Sequence, residues 1–105
     1  MPTRTPRMDQ IEALLVDDPT DPFLRYGLAM EHVSAGDDVT GADYLLRLAN
    51  EQAYVPAFLQ AGQVVARLNR FDEACNILRL GVAAARQQGD THAEGEMAGL
   101  LSSLE

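Results

Sequence analysis

With 105 residues, 47% of them apolar and 23% charged, the chain has the composition of a globular protein and not that of a disordered one, and its length suits one domain. Eight basic against 16 acidic residues leave a formal charge of -8, a field that repels nucleic acid and anionic lipid surfaces alike. Every basic residue is an arginine, so Schiff-base lysines and the phosphate-binding lysine of a nucleotide loop are both excluded.

Residues 1–7 hold two prolines, two threonines and two arginines without an apolar pattern and read as a mobile tail, with the folded domain expected over 8–105. Met8, Ile11, Leu14 and Leu15 recur at helical spacing and stop at Asp17-Asp18-Pro19, which predicts a short first helix. Asp21-Pro22 opens a second, because the aspartate can accept from free N–H groups of the first turn while proline has none to leave unpaired. This helix should run to about Ala35, with Gly36 beyond its end and Asp37-Asp38 capping the next helix. A third is predicted from about Val39 to Glu51, with Ala42, Leu45, Leu46 and Ala49 on one face.

Pro56 begins a fourth helix, which ends near Leu68 with Asn69 as a left-handed terminator. The fifth covers Phe71 to Gln88, carries Phe71, Ala74, Leu78 and Val82 on one stripe, and stops at Gly89. Asp90 or Thr91 caps a last helix that presents Met97, Leu100, Leu101 and Leu104, and Thr91 and Glu94 have the spacing of a capping box. No segment alternates apolar and polar residues over the length of a strand, so the fold class is all-α, six antiparallel helices joined by short loops.

The second and fourth helices share a pattern. Phe23, Tyr26, Gly27 and Met30 align with Phe58, Ala61, Gly62 and Val65 (58 − 23 = 35), and Ala42, Leu46 and Ala49 align with Ala74, Leu78 and Gly81 (74 − 42 = 32). The three-residue difference places an insertion in the first unit's turn, around Gly36 to Gly41. A two-helix unit of this length, with an aromatic, a small residue four positions on and an alanine on the second helix, resembles the tetratricopeptide repeat (TPR). Phe58-x-x-Ala61-Gly62-x-x-Val65 followed by Asn69-Arg70-Phe71-Asp72-Glu73-Ala74 carries the resemblance best, and the whole chain resembles small free-standing bacterial TPR proteins. The resemblance implies a right-handed array of repeats over about 21–53 and 56–88, closed by a solvating helix over about 91–104. It also implies a protein-interaction module, adaptor or scaffold, that is not an enzyme and carries no cofactor. The implied partner is a protein or peptide, not nucleic acid or membrane.

In that family the first helices of successive units line a concave groove. The resemblance assigns Leu24, Leu28, Glu31 and His32 on the second helix and Leu59, Gln63 and Arg67 on the fourth to it, beside a core stripe of Phe23, Tyr26, Gly27 and Met30. The three leucines also suit plain core packing, and both readings stay open. Some family members clamp a partner's C-terminal carboxylates with lysine and asparagine; the leucines here do not suit that partner.

Other side chains offer less. His92 and Glu96 lie four apart on a helix but lack a third metal ligand. His32 beside Glu31 lacks zinc-protease spacing. Cys75 lies next to the buried stripe, where cysteine acts as a small apolar residue, and as the only cysteine it suits a reducing, cytoplasmic setting. The paired acids Asp17-Asp18, Asp37-Asp38 and Asp72-Glu73 fall at helix ends and read as caps. Gly95 and Gly99 leave a small patch that would admit a second copy, so a weak homodimer, a structural homo-oligomer or a chaperone-like part of a larger assembly is the alternative. Gly62 should lie where the paired helix crosses closest.

Overall fold

The computed structural model describes residues 4–105. Six α-helices succeed one another: α1 (Pro6–Asp17), α2 (Pro22–Ser34), α3 (Asp38–Gln52), α4 (Val55–Arg67), α5 (Phe71–Gln88) and α6 (Thr91–Leu104), with no strand among the described residues. Each helix packs on the next in the chain, and α4 also touches α6, which gives a layered helical array measuring 37 × 31 × 18 Å.

Helix α1 begins at Pro6, inside the stretch expected to be a tail; residues 1–3 of that tail lie outside the described residues. The cause is a capping box. The Thr5 hydroxyl accepts from the Met8 N–H at 3.2 Å, and the Met8 sulfur accepts from the Thr5 N–H at 3.4 Å. Aspartate caps α2, α3 and α6: Asp21 accepts from the Leu24 N–H, Asp37 from Thr40 and Asp90 from Ala93, each at 3.0 to 3.1 Å. Of the two caps the sequence offers for the last helix, Asp90 is therefore the one used. Hydrogen bonding to Thr40 holds the Asp37 carboxyl below the usual carboxylate range.

The two central helix pairs repeat at a constant interval. Helix starts (55 − 22 = 33 and 71 − 38 = 33) and the ends of α2 and α4 are all 33 residues apart, as are the left-handed residues Gly36 (φ 90) and Asn69 (φ 64). At the same interval buried residues fall on buried residues: Leu28 on Ala61, Ala29 on Gly62, Gly41 on Ala74, Leu45 on Leu78, Leu48 on Gly81. The first unit's turn therefore holds no insertion. The units do differ by three residues, but at the far end: α5 has 18 residues and α3 has 15. Phe23 is not the counterpart of Phe58 but of Pro56, the second residue of one helix matched to the second residue of the other.

This register explains the small residues. A methyl group built on Gly62 would lie 2.6 and 2.8 Å from Leu78 carbons, so α4 and α5 cross there. In the first pair the tight point is on the other helix, where a methyl on Gly41 would meet the Val33 side chain and, at 3.2 Å, the Ala29 carbonyl. The main core runs from Ala29 and Leu45 through Phe58, Ala61, Val64 and Val65 to Leu78 and Met97. A second, smaller cluster of Met8, Ile11 and Leu28 fastens α1 to α2.

Candidate functional site

The 33-residue register moves the expected groove positions on α2. Leu59, Gln63 and Arg67 of α4 correspond to Tyr26, Met30 and Ser34, and all three of these line one cleft of about 570 Å³ between α1 and α2. Ile11 and Leu14 of α1 form the opposite wall, and Phe23 stands at one end. Leu14 is 57% exposed and Phe23 75%, so Phe23 leaves the core stripe expected of α2, whereas Tyr26 and Met30 keep one side packed against the main core.

The residues expected in the groove separate. Leu28 is 8% exposed and packs with Met8 and Ile11, so of its two readings the core one holds. Leu24 is half-buried against the same cluster and reaches the cleft wall, as does Glu31, whose carboxylate accepts from the Thr5 hydroxyl at 3.0 Å and faces the Arg7 guanidinium at 3.7 Å. His32 lies against Tyr44, ring centroids 5.2 Å apart, outside the cleft. On α4, Leu59 and Gln63 are half-buried, and Arg67 is tied to Asp38 by a two-pronged ion pair at 3.2 and 3.3 Å.

Tyr26 joins the two helices of this face. Its ring lies 5.6 Å from that of Tyr54, just before α4. Burial, then the neighbouring Tyr54, pushes its phenol up, and a hydrogen bond with the Gln60 side chain opposes them. The phenol is neutral at physiological pH and adds a hydrogen-bonding group to a wall that also carries Glu31 and Ser34. The sequence pattern assigns Phe23, Tyr26 and Met30 to the core; Tyr26 and Met30 do pack against it, and the signal that moves Phe23 out is the Gly36 and Asn69 pair of helix terminators, which sets the interval directly.

The other chemistry-bearing groups stay apart. No three His, Cys, Asp or Glu side chains cluster as metal ligands among the described residues. His92 and Glu96 pair with each other at 2.9 Å on the surface, and Cys75 is buried. No helix among the described residues is long and apolar enough to cross a membrane.

Two-helix units stacked at a 33-residue interval form a helical-repeat array like that of tetratricopeptide repeats. No protein-family model and no curated protein matches the chain. Two solved structures of a tetratricopeptide repeat domain protein from Salinibacter ruber are similar to it. The solution NMR structure is 29% identical with a TM-score of 0.79, over 84% of this chain and 90% of that one. The crystal structure is 27% identical with a TM-score of 0.75, over 80% and 96%. The chain is thus a TPR-like helical repeat, similar in sequence and in nearly full extent to a small bacterial protein of that kind.

Proposed function

We propose that the chain is an adaptor, without catalytic chemistry of its own, that holds a segment of a partner protein against the face made by α1, α2 and α4. The observation that supports this most is Phe23, a large apolar side chain left 75% exposed at the end of an apolar cleft with Leu14 beside it. Exposed aromatic and aliphatic surface gathered at a concave site is the usual anchor for a partner. Phe23, Tyr26 and Met30 supply the contacts on α2, with Leu24 and Glu31 on the wall. Leu59, Gln63 and Arg67 continue the face on α4, and Leu28 and His32 support it from behind. The single buried thiol suits a reducing, cytoplasmic setting.

A photo-crosslinking residue placed at Phe23 should capture a discrete partner in cells that make the protein, whereas the same residue at Leu80, exposed on α5, should not. Equal capture at both positions, or none at Phe23, overturns the reading. Assembly of copies through α6 is the alternative, resting on the open space around Gly95 and Gly99. A monomer mass by light scattering at all concentrations speaks against it.

A further inference from the structure

Resting on this assignment of the cleft, the charge distribution identifies its occupant. Each of the eight arginines is already matched inside the chain. Arg4 pairs with Asp9, Arg7 with Glu31, Arg25 with Glu51, Arg47 with Asp43, Arg67 with Asp38, Arg70 with Glu73, Arg79 with Glu105 and Arg86 with Glu94, at 2.6 to 3.7 Å. Such exposed pairs stabilise the fold little, but they leave no unmatched arginine on the described surface, and the charge of -8 resides in the remaining carboxylates.

Three of those carboxylates lie in the turn that follows Leu14 and precedes Phe23, just beyond the apolar end of the cleft. Asp17 and Asp18 close α1 one turn beyond Leu14, and the Asp18 N–H bonds the Leu14 carbonyl at 3.2 Å. The Asp21 N–H bonds the Asp18 carbonyl at 3.3 Å, and Asp21 leads through Pro22 into Phe23. Among the described residues none of the three has an ion-pair partner, and the negative end of the α1 dipole adds to their field. Leu14 and Phe23 thus form an apolar seat bordered by uncompensated negative charge. From Arg7 to Leu14 the α1 wall is about 10 Å long, room for two apolar side chains one helical turn apart.

We propose that the cleft takes a cationic amphipathic protein segment, two turn-spaced apolar residues lying over Leu14, Phe23 and Met30 with lysine or arginine beside them meeting Asp17, Asp18 and Asp21. A second copy of the chain is the poorer occupant, since two chains of charge -8 repel each other.

The test uses three labelled synthetic peptides: leucines at i and i+4 flanked by lysines, the same peptide with glutamates for lysines, and a scramble of the first that breaks the spacing. The lysine peptide should bind, and the glutamate and scrambled peptides should not. Asp17→Asn, Asp18→Asn and Asp21→Asn together keep the α2 cap and should weaken binding about tenfold, the combined loss of three exposed charge contacts. Asp72→Asn, Glu96→Gln and Glu105→Gln, remote from the cleft but equal in charge removed, should leave binding within about twofold. Phe23→Ser should abolish it. Binding of the lysine and glutamate peptides alike, lost with Phe23→Ser, overturns the charge assignment and leaves the cleft intact. Lysine-peptide binding that ignores Phe23→Ser, equal sensitivity to both triple variants, or no binding by any peptide overturns the proposal, while capture at Phe23 in cells still judges the cleft by itself.

Discussion

Helices α2 and α4 occupy equivalent places in the two repeats, yet α4 buries Val55, Ala57, Phe58, Ala61, Gly62, Val64 and Val65 while α2 buries only Leu28 and Ala29. The difference comes from their neighbours. α4 is packed between α3 and α5 and also touches α6, whereas α2 has α3 on one side and only the short α1 on the other. An inner repeat of a stacked array spends its apolar surface on both neighbours; an end repeat keeps some of it open. The surface that α2 keeps open, Phe23 with the uncovered sides of Tyr26 and Met30, is the candidate binding face, so position in the array and not composition decides which helix is available to a partner.

The contrast is probed most forcefully at two apolar residues of α2, Leu28, which takes the core one of its two expected roles, and Phe23, which leaves the core stripe expected for it. Leu28→Ala removes a core side chain and should cost about 2 to 5 kcal/mol in denaturant unfolding. Phe23→Ala should change stability by about 0.5 kcal/mol or less. Similar losses for both would place Phe23 in the core and close the cleft. A smaller effect separates the helix starts: Asp21 caps α2 with its side chain, whereas Tyr54 ahead of α4 makes no such bond. Asp21→Ala should cost about 0.5 to 2 kcal/mol and Asp21→Asn almost nothing.

Much of the fold is legible in the sequence because caps and terminators are local chemistry. Asp21-Pro22, Gly36-Asp37 and Gly89-Asp90 each mark a boundary that needs no tertiary information, and α5 begins and ends at the predicted residues. The start of α1 is hidden because methionine, through its sulfur, plays the part that glutamate or glutamine plays in the ordinary capping box. The candidate site is less legible for a related reason. Aromatic residues suggest core, so aligning Phe23 with Phe58 set an interval of 35 and turned α2 by two positions. The burial of a side chain depends on what packs over it, and no neighbour covers Phe23.

The register is the claim on which the cleft depends, and two glycines that the sequence pairs with each other test it. At 33 residues Gly62 answers to Ala29, and Gly27 has no crossing helix: a methyl there meets only the Ile11 Cδ1, at 3.7 Å. Thermal unfolding of Gly62→Ala and Gly27→Ala measures both sites. The 33-residue register predicts opposite signs, a loss of about 1 to 3 kcal/mol for Gly62→Ala as the methyl is forced against Leu78, and a gain of about 0.5 to 1 kcal/mol for Gly27→Ala from helix propensity. A fall in melting temperature for both variants would restore the 35-residue alignment and contradict the cleft assignment.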